Sequence, residues 1–266
     1  MKKEAKKEFN NDIYSKNVLV AVLGVVLISL AVFKIMQKDV EFFKVDSRVD
    51  NIKSYKLKQS DVEVEGWLRV QGTNIDYPIL RNTEKLIDEQ NNLEYVYING
   101  EMNKLNKINH ILGSNDNNQG TKPTIKGKNQ TKFDQLMSFT YFDFVKENKY
   151  IQLTLDKKDY VFEIFSVSYP KASEVSTYTA DIYTEEDVLK YVNDELKRSI
   201  YKFDTEVDKE DTIISLITNT NVLNTTESRN FRVSAKLVEN DKKLENYDVT
   251  KTNNYKEVEK QIKGEK

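Results

Sequence analysis

The sequence predicts a mainly β domain, a barrel or open barrel with one inserted helix, standing behind a single transmembrane helix. Three observations carry this. Short apolar or alternating runs, bounded by turn residues, recur between residues 66 and 238. One strongly amphipathic segment, 184–201, interrupts them. An apolar run precedes them all, from Val18 to Met36, broken by Lys34 alone among charged residues.

That run counts 19 residues. At about 1.5 Å per residue, roughly 20 residues cross a hydrocarbon core of about 30 Å. The Lys34 stem is long enough to snorkel to the interface. A cleaved signal peptide is the rival, since Ser29-Leu30-Ala31 resembles a small-x-small site. Apolar residues continue past it, which favours an uncleaved anchor. Residues 1–16 carry five Lys against Glu4, Glu8 and Asp12, whereas residues 37–50 carry three basic and four acidic residues. The positive-inside rule then puts the N-terminus in the cytoplasm and the domain outside.

Composition excludes several chemistries. The chain of 266 residues has no Cys and one His, His110. Disulfides, zinc–thiolate sites, thiol nucleophiles and multi-histidine metal sites are therefore ruled out, and no cofactor is implied. Lys and Glu are interspersed and the formal net charge is −2, so nothing points to nucleic acid. Hydrophobic residues at 38%, with 15 Tyr and 12 Phe, suffice for a core.

Phe42, Val45, Val49 and Ile52 recur at helical spacing, so 40–56 reads as an amphipathic helix. Gly72-Thr73-Asn74 separates two short strands, Trp67 to Val70 and Ile75 to Ile79. Ile108 to Leu112 is a short apolar stretch, and Phe133 to Val145 suits a short helix. Tyr150 to Leu155 and Tyr160 to Val167 read as paired strands joined by Asp156 to Asp159. Thr184 suits a helix cap, the acids Glu185 to Asp187 suit the positive end, and Val188, Tyr191, Val192, Leu196 and Ile200 share one face. Thr212 to Ile217 and Phe231 to Val238 are the final strands. The expected organisation is a cytoplasmic basic segment 1–16, an anchor 17–36, a juxtamembrane helix 37–58, a barrel 59–240, and a charged, mobile tail 241–266.

Several stretches, in order, resemble the class B sortases, membrane-anchored transpeptidases of Gram-positive surfaces. Gly66 to Pro78 is similar to that family's opening strands almost residue for residue. Phe162 to Val167 is similar to its central strand, and Ser215-Leu216-Ile217-Thr218 to the run before its nucleophile. The 184–201 segment sits where the family inserts a long helix, and Ala235-Lys236-Leu237 resembles the end of its last strand. The resemblance covers about 40–240 and implies an eight-stranded sortase barrel.

It also implies three catalytic side chains: a Cys thiolate nucleophile, a His that protonates the leaving amine, and an Arg at the oxyanion. None is retained at its matching position. The residue after Thr218 is Asn219, and a carboxamide is no nucleophile. Ile125-Lys126-Gly127-Lys128-Asn129 matches the histidine stretch with Lys128 at the His position. A competing match, Ile111 to Asn115, puts Ser114 there but leaves a long interval before Phe133. Counting back from Lys236 places the Arg position at Asn230, with Arg229 and Arg232 nearby. A one-residue slip reverses a strand side chain and a two-residue step preserves its face, so Arg232 is the candidate to restore the charge. Thr218 and Arg232 are the candidate peptide-groove residues.

The resemblance thus implies a pseudo-sortase: a fold kept and a catalytic set replaced. Its expected partners are a surface protein, a sorting-signal-like peptide or an active sortase, met at the outer face of the membrane. Two alternatives keep other roles open. One is a transpeptidase using non-standard residues such as His110. The other is a structural envelope component, with a Lys128–Asn219 isopeptide assisted by an acid, Glu227 being nearest in sequence.

Overall fold

The structure is a computed structural model, and it describes residues 43–58, 63–81, 96–98, 104–115, 133–175, 184–223, 227–239 and 244–264. Helix α1 (Val49–Lys58) precedes strands β1 (Val64–Val70), β2 (Asp76–Arg81), β3 (Val96–Ile98) and β4 (Ile108–Gly113). A 3-10 segment, Asp134–Thr140, and helix α2 (Phe142–Glu147) lead to β5 (Tyr150–Leu155) and β6 (Lys158–Ser168). Then come α3 (Ala172–Val175), α4 (Glu185–Arg198), β7 (Tyr201–Phe203), β8 (Ile213–Thr220), β9 (Arg229–Leu237), β10 (Val249–Lys251) and α5 (Tyr255–Lys263).

Eight strands close a barrel in the order β1-β2-β3-β4-β8-β9-β6-β5. The β2–β3 and β4–β8 pairs are parallel and the rest antiparallel. Local sequence explains the opening hairpin. Gly72 turns the chain with φ 73° and leaves no room for a Cβ beside the Asn148 side chain. The Thr73 hydroxyl donates to the Val70 carbonyl at 2.9 Å and accepts from the Ile75 amide at 3.0 Å. Asp156 and Lys157, at φ 44° and 65°, form the two-residue turn between β5 and β6. Leu68, Ile79, Ile111, Leu153, Ile164, Leu216, Phe231 and Val233 fill the barrel interior.

Helix α4 covers the outer face of β4, β6 and β8, where Val188, Tyr191 and Val192 pack on Ile108, Phe165 and Ile213. Thr184 closes a capping box with Asp187, as the sequence indicates. One face residue differs. Leu196 is 46% exposed, and Glu195 points inward in its place. Ile200 lies beyond the end of α4 and packs into the barrel interior.

The expected helix over 40–56 is shorter: α1 starts at Val49, and Ile52 and Tyr55 pack on Val64 and Leu80. Residues 43–48 instead run as a strap. Phe43 stacks on Tyr150 with centroids 6.4 Å apart, and Asp46 exchanges backbone hydrogen bonds with the Gln152 carboxamide at 3.1 and 2.8 Å.

The expected mobile tail over 241–266 is corrected for the described part, residues 244–264, which belong to one compact unit with the barrel. Strand β10 pairs with β7, and Tyr255 and Val258 of α5 are buried against the barrel core. The Tyr150 hydroxyl donates to the Glu245 carbonyl, and the Tyr247 hydroxyl to the Ile164 carbonyl at 2.8 Å. Sparse apolar residues spaced 255, 258 and 262 supply a helix face that the surrounding Lys and Glu conceal in composition.

The anchor, residues 17–36, lies outside the described residues. Among the described residues no helix is long and apolar enough to cross a membrane.

Candidate functional site

The site is built where β4 and β8 end and β9 begins. Asn219 lies directly opposite Asn230 in the antiparallel β8–β9 ladder. Residues opposite one another share a face, so both carboxamides project to the outside of the barrel. Two residues further in, Ile217 faces Arg232 on that same face. The position counted from the last strand thus falls across from the position counted from the nucleophile run.

Asn219 is exposed, yet its carboxamide is committed. Its Oδ1 accepts from the Asn115 amide at 3.0 Å, and its Nδ2 donates to the Asn115 carbonyl at 3.3 Å. Asn115 returns a third bond from its own Nδ2 to the Asn219 carbonyl at 3.2 Å. The Asn219 side chain therefore behaves like one more rung between β4 and β8. Asn115, fully buried, is a site residue the sequence reading met only inside the competing match. Asn230 is half-buried, and its carboxamide makes no hydrogen bond among the described residues.

The hydroxyls beside Asn219 are occupied. Thr218 Oγ1 donates to the Gly113 carbonyl at 2.6 Å, and Thr220 Oγ1 accepts from the Val222 amide at 3.2 Å. Among the described residues neither is set against a base. His110 is paired with Ser215 across β4 and β8, four residues short of Asn219. At about 3.3 Å per residue that is roughly 13 Å along the sheet, beyond reach of a proton relay to Asn219. The His110 ring instead meets Tyr191 edge-on, with centroids 5.9 Å apart.

Arg232 is not on an open groove wall. Its side chain is 0% exposed, beneath α4, with Nη1 2.6 Å from Glu195 Oε1. Glu195 Oε2 accepts from Ser168 and Ser234 at 3.1 and 3.3 Å, and Ser234 bonds Ser215 at 2.8 Å. Tyr191 completes the network through Ser215, and burial pushes its hydroxyl up to about 12. Thr218 is buried as well, so both groove candidates are structural in their surroundings. The physical reasons differ: Arg232 lies on the outer face under α4, whereas Thr218, opposite Phe231, faces the barrel interior and is bonded to the end of β4.

Arg229 faces the other way, as a one-residue step requires. It donates to the Tyr169 carbonyl at 2.9 Å. Glu227 is exposed and pairs with Lys171 at 2.9 Å. Lys128 lies outside the described residues. The group of residues brought together is thus Asn115, Asn219 and Asn230. Among the described residues, no set of three His, Cys, Asp or Glu stands ready to hold a metal.

This barrel has known counterparts. Sortase B of Staphylococcus aureus is 21% identical over 175 residues, spanning 61% of this chain and 65% of that protein. The chain thus matches slightly under two thirds of that relative's length. The structure of Clostridium perfringens sortase B superposes with a TM-score of 0.57 at 25% identity, over 71% of this chain and 100% of that one. A Staphylococcus aureus sortase B–substrate complex shares the fold, with a TM-score of 0.54 at 17% identity, over 72% of this chain and 93% of that one. No protein-family model matches the chain. The fold is that of the sortases. Within them the chain is class B sortase-like, with no cysteine anywhere in its sequence.

Proposed function

We propose that this chain is a catalytically silent, sortase B-like peptide-binding protein, held on the outer face of the cytoplasmic membrane by its N-terminal apolar segment. The observation that carries the reading is the carboxamide pair, Asn219 opposite Asn230, at the end of β8 and β9. A carboxamide neither attacks a carbonyl nor shuttles a proton at neutral pH, and the neighbouring hydroxyls are spent on backbone groups. Without a nucleophile and base, the orders of magnitude that each supplies are lost. A carboxamide does offer one acceptor and two N–H donors, which is what an extended peptide backbone or an amide side chain can pair with.

A sortase B relative has been seen with its substrate, which supports a peptide as the ligand class here. The ligand would be a sorting-signal-like segment of a surface protein, presented alone or by an active sortase. Such binding depends little on charge, because Asn230, the carboxamide that makes no hydrogen bond among the described residues, is neutral.

The test uses the full chain and labelled sorting-signal peptides, followed by anisotropy for binding and by mass spectrometry for turnover. Saturable binding without cleavage, weakened about tenfold by Asn230→Ala, is the expected result. Peptide cleavage or transfer would replace this reading with that of an active transpeptidase. No binding at all would leave a structural envelope component.

A further inference from the structure

Helix α1 lies on the outside of β1 and β2. Ile52 and Tyr55 pack on Val64 and Leu80, and the Tyr55 ring meets Trp67 edge-on with centroids 6.4 Å apart. At about 100° per residue, Leu57 stands roughly opposite that packed face. Its side chain is 86% exposed. Four large apolar residues are exposed among the described residues, and two of them, Leu57 and Val45, belong to the stretch from Phe43 to Lys58.

Charge is unbalanced in the same stretch. Asp46 pairs with Arg48, and Asp50 with Lys53 at 3.2 Å. Lys44, Lys56 and Lys58 are exposed and pair with no carboxylate among the described residues. With the strands beneath α1 included, seven cations stand against five acids over 43–58 and 63–81. The negative end of a helix accounts for Lys56 and Lys58, but not for the leucine between them. Apolar tips set among unpaired lysines suit an anionic lipid interface, where the tips enter the headgroup layer and the ammonium groups meet phosphates.

The chain keeps this face close to such a surface. Six residues separate Met36, where the apolar run ends, from Phe43. Fully extended, that tether reaches about 25 Å. Phe43 is fixed to the barrel by its stack on Tyr150, and Arg48 is fixed at the start of β2 by Asp76.

The ring of strands relates this face to the carboxamide pair. In either direction β8 is the fourth strand from β1, and β9 the fourth from β2. The outer face that carries Asn219 and Asn230 is therefore the one opposite α1.

We propose that α1 and the strap before it rest on an anionic lipid surface through Val45, Leu57, Lys44, Lys56 and Lys58, turning Asn219 and Asn230 away from the membrane. The inference rests on the membrane tether of the proposed function and adds an orientation to it. A barrel so held presents its carboxamide pair to peptides arriving from outside.

The experiment reconstitutes the full chain into vesicles of phosphatidylcholine alone and of an equal mixture with phosphatidylglycerol. The chain has no cysteine, so Ser54→Cys, on the outer face of α1, and Ser228→Cys, at the entry to β9, each take a single fluorophore. Lipids spin-labelled at the headgroup are expected to quench the Ser54→Cys label about twofold more than the Ser228→Cys label in the anionic vesicles. Leu57→Gln, the triple variant Lys44→Gln, Lys56→Gln and Lys58→Gln, and high salt should each shrink that difference. Flotation of the vesicles reads the tether separately. A chain that fails to float with them overturns the tether and this inference together. A chain that floats while both labels are quenched equally, or while the difference ignores phosphatidylglycerol and the variants, overturns this inference and leaves the tether standing.

Discussion

Arg232 Nη1 and Glu195 Oε1 meet at 2.6 Å, with neither side chain exposed and the two residues 37 positions apart in the sequence. The pair joins α4 to β9 inside a network of Ser168, Ser215, Ser234 and Tyr191. Removing one member of a buried pair strands the other charge, which costs more than the pair gains. Glu195→Ala is expected to destabilise the domain by about 3–5 kcal/mol, measured by urea denaturation. The double variant Glu195→Leu with Arg232→Leu is expected to recover most of that loss, because the desolvated charges go together. A double variant as unstable as Glu195→Ala would show that the network, not the stranded charge, sets the cost.

Asn219→Cys restores the residue type that sortases use, at an exposed position. The thiol should react with maleimide, since position 219 is exposed. It should not confer peptide transfer, because His110 is paired with Ser215, well back along β4 from Asn219. The substitution also breaks the bonds to the Asn115 amide and carbonyl at 3.0 and 3.3 Å. At about 0.5–1.5 kcal/mol each, the loss should be visible as a lowered Tm.

Acid sensitivity has an identifiable contributor in Asp76. Burial raises its carboxyl, but hydrogen bonds from Arg48 at 3.0 and 2.8 Å and from Trp67 at 2.6 Å outweigh this and hold it below the ordinary 3.8. A depressed folded-state value means that the carboxylate stabilises the fold above the unfolded value. That contribution is lost as the pH falls below 3.8 through the folded one. Asp76→Asn should therefore lower stability at neutral pH and flatten the acid limb of a stability–pH curve. The carboxylate is 39% exposed, so the effect is screened and should shrink in high salt.

The parts of the fold that were legible in sequence are those set by local chemistry. Gly72 and Thr73 mark the opening hairpin, and Thr184 with Asp187 marks the start of α4, because turns and caps are written within four residues. Asn219 and Asn230, each counted from a recognisable strand, lie opposite one another in the β8–β9 ladder. The fate of the arginines was not legible. Arg232 is captured by Glu195, a residue on an otherwise apolar helix face, and nothing local to either residue announces the pairing. A charged residue four positions after Tyr191, in line with a buried stripe, is the signal that could have found it. Asn115 was hidden for the same reason, because its partner lies across a parallel strand pair.

Residues 244–264 pose the sharpest contrast between composition and structure, and they yield the last prediction. Their Lys, Glu and Asn content reads as a solvated tail, whereas Tyr255 and Val258 are buried in the barrel core and β10 extends β7. The Tyr255 ring lies 5.4 Å from that of Tyr201, itself buried, so truncation leaves a void that neighbouring strands cannot close. Tyr255→Ala is expected to cost about 3–5 kcal/mol, as large aromatic truncations in cores do. A solvent-exposed substitution on the same helix, Lys256→Ala, should change stability by no more than about 0.5 kcal/mol. Limited proteolysis supplies the independent readout: 244–264 should stay protected in the parent chain and become the first segment cut in Tyr255→Ala. Equal cutting of this segment in both chains would return it to the status of a tail.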